Sequence, residues 1–277
     1  MSAPSTEYSL GATILRVEGV SQKLGDNLIL RDVNLDVKDI RRPGRVAGQV
    51  VGLLGPSGIG KTRLFRILAG LDEPTSGRVL IGEGGVPVER GMVGVVAQRY
   101  PLFAHRTVLG NLMVAARQAG CSHDEGGQRS LRLLKRFGLE DRANHYPAQL
   151  SGGQQQRVAI VQQFLCSEHF LLMDEPFSGL DPNAVEAVGE LIAEVANLDE
   201  LNTIIVVTHD IAAAIEVADT LWLLGRDRDG NGRVVPGARI QGTYNLIERG
   251  LAWRKGITTS PEFMDLLREI LARFPTL

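Results

Sequence analysis

Gly55-Pro56-Ser57-Gly58-Ile59-Gly60-Lys61-Thr62 is the stretch that decides the fold. Its spacing, G-x-x-x-x-G-K-T, is that of a phosphate-binding P-loop. The context agrees. The apolar run Gln49–Leu54 before it reads as a buried strand, and residues 62–69 after it read as a helix. Glycines let backbone N–H groups face phosphates, and the helix N-terminus adds positive potential. Lys61 would reach the β- and γ-phosphates, and the Thr62 hydroxyl would ligate Mg²⁺. By itself this loop says only that a nucleoside triphosphate binds.

Downstream, the apolar strand 170–173 ends in Asp174 and Glu175. Asp174, at the strand end, can hold Mg²⁺ through water. Glu175 would point elsewhere, because successive strand side chains alternate, and could orient or deprotonate an attacking water. Between the two motifs lies Leu150-Ser151-Gly152-Gly153-Gln154-Gln155-Gln156-Arg157. Ser151 and the glycine N–H groups open a helix expected over 154–166, a second anion-binding helix terminus. One ATP needs one P-loop, so a second cradle makes sense if ATP is shared between two subunits.

Residues 150–157 resemble the signature of ATP-binding cassette (ABC) ATPases. The resemblance runs from about residue 14 to 225. It implies an α/β fold: a P-loop NTPase RecA-like core, an antiparallel β-subdomain, and a helical subdomain inserted at about 104–152. Residues 226–277 would add a C-terminal hairpin and helix to this single domain. Val96-Ala97-Gln98 and the segment 100–111 resemble the Q-loop region of importers, where Gln98 would contact Mg²⁺ and the water. Ser178-Gly179-Leu180-Asp181 resembles the D-loop, and His209 in Thr208-His209-Asp210 the switch histidine. The implied function is ATP hydrolysis that powers solute transport across a membrane. The implied partners are a second copy in a head-to-tail dimer, integral permease subunits and a solute-binding protein. ATP would lie between residues 55–62 of one copy and Ser151, Gly152, Gly153, Gln154 and Asp181 of the other. The alternative is a non-transport ABC ATPase in a soluble assembly complex. A chromosome-type ATPase would need a long coiled coil between Lys61 and Ser151, and no heptad run is present there.

Some residues depart from the family pattern. Leu24 in Val20-Ser21-Gln22-Lys23-Leu24-Gly25 stands where an adenine-stacking aromatic is usual, so Leu24 would give looser recognition unless another aromatic, Tyr8 or one from a partner chain, fills the position. The turn before the P-loop strand carries extra residues, among them Arg41, Arg42 and Arg45, either a solvated loop or a lipid- or partner-facing patch.

Composition bounds the rest. The 277 residues carry 30 Lys and Arg against 32 Asp and Glu, for a net charge of −2, with no basic excess to suggest nucleic acid. Two cysteines, Cys121 and Cys166, are too few for a disulfide framework or a cysteine-built zinc site. No run reaches the roughly 18 apolar residues of a membrane span. With the permease partners that the resemblance implies, the expected place is the cytoplasmic face of the membrane, held through those subunits. Apolar residues in 14–20 and 28–37 roughly alternate with polar ones, as in an antiparallel sheet with one wet face. From 170 onward strand and helix alternate, as in a covered parallel sheet. Asp227-Arg228-Asp229-Gly230-Asn231-Gly232 matches half an EF-hand loop, but Ala238 stands where the bidentate Glu belongs, so it reads as the turn of a hairpin over 226–240.

Overall fold

The computed structural model describes residues 8–42, 48–97, 101–166, 169–198, 202–254 and 256–277. The chain opens with a long hairpin. Strands β1 (Ser9–Leu24) and β2 (Asn27–Arg41) pair antiparallel, with Gly25 at φ +57° in the turn. Along β2, Val33, Leu35 and Val37 are buried while Asp32, Asn34, Asp36 and Lys38 are exposed, the alternation that gives a sheet one wet face. Strand β3 (Gln49–Leu54) and helix α1 (Lys61–Leu68) flank the glycine-rich turn. Strands β4 (Ser76–Ile81) and β5 (Val86–Pro87) complete the first sheet in the order β2-β1-β4-β5.

After β6 (Gly94–Val96) come α2 (Val108–Gln118), α3 (His123–Arg136) and two short 3-10 turns. Helix α4 (Gly152–Cys166) leads into β7 (Phe170–Asp174), α5 (Pro182–Ala196), β8 (Thr203–Thr208) and α6 (Ile211–Val217). Strands β9 (Thr220–Gly225) and β10 (Arg239–Asn245) precede α7 (Pro261–Arg273). The second sheet runs β10-β9-β3-β8-β7-β6, parallel except for β10 at its edge.

This parallel sheet is buried on both faces, and the period of two divides its residues cleanly. Val50, Leu54, Leu171, Met173, Ile204, Val206, Leu221 and Leu223 share one core with α2 and α4–α7. Val51, Leu53, Phe170, Leu172, Ile205, Val207, Trp222 and Leu224 share the other with α1 and the antiparallel sheet. Each such side chain contributes about 1.5–3 kcal/mol on full burial. The sheet is thereby a rigid platform for whatever its strand ends carry.

The C-terminal part corrects the sequence reading. The hairpin strands are β9 and β10, and residues 226–238 are their connection, with one Arg228–Val234 bridge inside it. The four-residue apolar run 221–224 is too short for its type to be told from pattern, and pairing with β3 is what makes it a strand. The Asp227 carboxylate is held by Arg31, Arg239 (2.8 Å) and Gln241 (2.8 Å), and Asp229 accepts the N–H groups of Asn231 and Arg233 at 2.9 Å. Both acids are thus committed to protein donors.

Candidate active site

Strand order brings the motifs together. β8 lies between β3 and β7, and all three point the same way. Their carboxyl ends deliver residues 55–62, Asp174 with Glu175, and Thr208 with His209 to one place, the usual position of a ligand on an open α/β sheet.

The P-loop follows from its glycines. Gly58 has φ +76° and Gly60 φ +118°, values costly for other residues. A Cβ on Gly58 would meet nothing within 4 Å, so the loop's hollow is open there. Gly60 is the N-cap of α1, and no side chain caps that helix, which leaves its first-turn donors to a ligand. Lys61 is buried. Its Nζ donates to Gly55 O at 2.8 Å and Pro56 O at 3.3 Å, and lies 3.7 Å from Glu175 Oε1. Burial pulls the lysine pKa down, and the charges of Glu175 and Asp174 oppose that.

Asp174 closes β7 opposite Val207. Burial and the neighbouring Glu175 charge push its pKa up, while Lys61 pulls it down. Strand alternation does not set the direction of Glu175. The strand ends at Asp174, and Glu175 takes φ +50° with its N–H donating to Val207 O at 2.7 Å. Its Oε2 then lies 2.8 Å from His209 Nδ1 and accepts from Thr208 Oγ1 at 3.0 Å and His209 N at 3.3 Å. Two crowded carboxylates, one with a raised pKa, and the exposed Thr62 hydroxyl next in sequence to Lys61 are hard-oxygen donors of the kind that suits a divalent cation such as Mg²⁺. Among the described residues no group of three or more His, Cys, Asp or Glu forms a cage, so such an ion would draw its other ligands from phosphate and water.

The remaining motif residues lie apart from this network. Ser151 and Gln154 form a reciprocal capping box on α4: Gln154 N donates to Ser151 Oγ (3.3 Å) and Ser151 N to Gln154 Oε1 (3.0 Å). Ser151, Gly152 and Gly153 are exposed. Asp181 is also exposed and caps α5 through Ala184 N at 3.0 Å. Leu24 ends β1 and is 40% exposed. Gln98, Tyr100 and Arg45 lie outside the described residues.

Two expectations are overturned. Tyr8 cannot stand in for Leu24, since it precedes the first residue of the same strand, about 50 Å away at ~3.3 Å per residue. Its hydroxyl bonds Glu248 and Asn245. Arg42 is no solvated loop residue, because its guanidinium stacks 3.6 Å from the Trp253 ring centre. Sequence reasoning also passed over Asp219, which is buried and accepts Val50 N–H at 2.7 Å through its carboxylate. Burial pushes its pKa up to about 7, against the Val50 hydrogen bond, the Arg42 charge and a Trp253 hydrogen bond.

Comparison with known proteins agrees with this geometry. A family profile described as "ABC transporter" matches residues 44–178. The L-cystine import ATP-binding protein TcyC of Bacillus subtilis is 37% identical over 218 residues, 74% of this chain and 84% of that protein. The chain belongs to the ABC transporter ATP-binding family. It is an ATP-binding and ATP-hydrolysing subunit with the α/β P-loop NTPase fold. Among solved structures, cbiO1 from Clostridium perfringens, described as part of the ABC transporter complex cbiONQ, superposes with a TM-score of 0.72. It is 27% identical, and the match covers 96% of this chain and 97% of that one. A dimeric post-hydrolysis state of the ATP-binding cassette MJ0796 with ADP and Pi superposes with a TM-score of 0.65 at 30% identity, covering 84% and 99%. Among the described residues no helix is long and apolar enough to cross a membrane.

Proposed function

We propose that this ABC ATPase drives solute import, working as a head-to-tail homodimer on permease subunits at the cytoplasmic face of the membrane and supplied by a solute-binding protein. The helical subdomain would be residues 104–152, and 98–111 would face the permease. Import is favoured by relatives such as TcyC, and dimer action by the MJ0796 pair.

The observation that carries the chemistry is convergence on one carboxylate: Glu175 lies against both Lys61 and His209. In the proposed reaction residues 55–62 wrap the phosphates of ATP, with Lys61 beside the β- and γ-phosphates. Thr62, Asp174 (through water) and Gln98 would hold Mg²⁺, which supplies charge neutralisation on the phosphate oxygens. Glu175 takes a proton from the attacking water, whose oxygen bonds the γ-phosphorus as the bond to ADP breaks. His209 donates to the γ-phosphate. Ser151, Gly152, Gly153, Gln154 and Asp181 of the second copy close the site, and Leu24 lies at the adenine. Catalysis is then mostly positioning and electrostatic stabilisation.

The test is Glu175→Gln, which keeps the shape and removes the base. General-base loss predicts turnover reduced about 10²–10⁴-fold, with ATP still bound and a dimer accumulating in MgATP. Wild-type turnover would contradict the assignment. Recovery of the native protein with an integral membrane partner supports transport, whereas a soluble complex alone supports the assembly reading.

A further inference from the structure

The hydrolysis site contains one side chain with no role in the proposed reaction, Thr208. It is the last residue of β8 and is fully buried. Its Oγ1 accepts the Asp210 N–H at 3.1 Å and donates to Glu175 Oε2 at 3.0 Å. The first contact fixes the second. With a lone pair of Oγ1 taken by Asp210 N–H, the hydroxyl proton has the carboxylate as its partner.

Glu175 needs such a hold. It sits in the left-handed region at φ +50°, just past the end of β7, where its N–H bond to Val207 O fixes the backbone and leaves the side chain to other contacts. Three contacts converge on Oε2: the Thr208 hydroxyl, His209 N–H and the His209 ring. The ring contact comes from the exposed side chain of His209 and the N–H contact from its backbone, so Thr208 is the one buried side chain of the three. The Thr208 contact comes from the buried end of β8. Oε1 is on the other side, 3.7 Å from Lys61 and toward the P-loop.

We propose that Thr208 is a positioning residue that holds Glu175 through Oε2, so that Oε1 is the oxygen presented to the attacking water. This rests on the reading of Glu175 as the base. In the step, a water proton passes to Oε1, the water oxygen bonds the γ-phosphorus, and the bond to ADP breaks. Thr208 touches none of the reacting atoms and acts only through the carboxylate.

Steady-state ATP hydrolysis by the full-length protein tests it, with Thr208→Val, Thr208→Ser, Glu175→Gln and the double variant Thr208→Val/Glu175→Gln. Valine copies the shape of threonine without the hydroxyl. It should lower kcat about tenfold and leave KM for ATP within about twofold. Serine keeps the hydroxyl and should restore kcat to within about threefold of wild type. The double variant should be no slower than Glu175→Gln alone, because nothing remains to position. If Thr208→Val does not fold, Thr208→Ala takes its place in the same comparison. An unchanged kcat, a loss carried by KM, failure of serine to rescue, or a further tenfold drop in the double variant each overturns the proposal. A slow Glu175→Gln beside a normal Thr208→Val overturns this inference alone. Wild-type turnover by Glu175→Gln overturns the base reading, and this inference with it.

Discussion

The chain carries two glycine-bearing helix termini, and they are built differently. At α1 the donors are left open: Gly60 is the N-cap, no side chain covers the first turn, and Lys61 is buried against Glu175. At α4 the end is closed on itself by the Ser151–Gln154 box, and its glycines face solvent. The first terminus stands inside a network of strand ends. The second belongs to a helix surface whose polar groups bond one another. In the proposed dimer, an ATP held at the first would gain the second from another copy, the capping box exchanging an internal bond for a phosphate oxygen.

The widest gap between the two termini should appear on removing the lysine. Lys61→Ala should lower ATP turnover at least about hundredfold, the loss expected for a preorganised phosphate contact, and weaken ATP binding by the isolated subunit. Equilibrium binding and hydrolysis rates check this. Near-normal turnover would mean that the open terminus is not where the phosphates sit.

Next in size is a control at the opposite end of the same sheet. Asp219, with its pKa raised to about 7 by burial, favours its neutral form in the fold. A raised acid binds more protons folded than unfolded between about pH 4 and 7, so stability falls as pH rises through that window and levels off above it. The most this can amount to is about 4 kcal/mol. Urea midpoints from pH 5 to 8 should decline in wild type and flatten in Asp219→Asn. ATP turnover in that variant should change little, since the residue lies at the other end of β3. A midpoint in wild type that rises over this range would contradict the assignment.

The smallest effect concerns the adenine. Base stacking on an aromatic is worth about 1–3 kcal/mol against alanine, and leucine retains part of that contact. Leu24→Tyr should therefore tighten ATP binding several-fold and sharpen the preference for ATP over GTP. Unchanged binding of both nucleotides would remove Leu24 from the site.

How much of this was legible in the sequence depends on how local each signal is. The P-loop, Asp174 with Glu175, and the Ser151 turn are short runs whose chemistry lies in the residues themselves. Alternation in β2 and the apolar runs of β3, β7 and β8 similarly foretold a wet-faced antiparallel sheet and a buried parallel one. What depended on pairing was hidden. The run 221–224 became a strand through its register with β3. The direction of Glu175 came from a backbone turn at φ +50°, not from alternation. Asp219 acquired its raised pKa from burial in the fold, against the opposing pull of Val50, Arg42 and Trp253, which are distant along the chain. Thr208 was visible as part of a motif, but its bond to Glu175 exists because β8 lies next to β7.

The central claim, that the closed terminus of one copy completes the open terminus of another, is tested most directly by Gly153→Asp in the Glu175→Gln background. A Cβ at Gly153 meets nothing within 4 Å, and an acid in the first turn of a helix is stabilising by about 0.3–1 kcal/mol, so the fold should be kept or improved. The same charge would face the phosphates of an ATP carried by the partner. Light scattering on a sizing column with MgATP should give a dimer for Glu175→Gln and a monomer for Glu175→Gln/Gly153→Asp, with ATP affinity of the isolated subunit equal in both. A double variant that still dimerises with MgATP, or one that loses ATP binding as a monomer, would contradict the shared site.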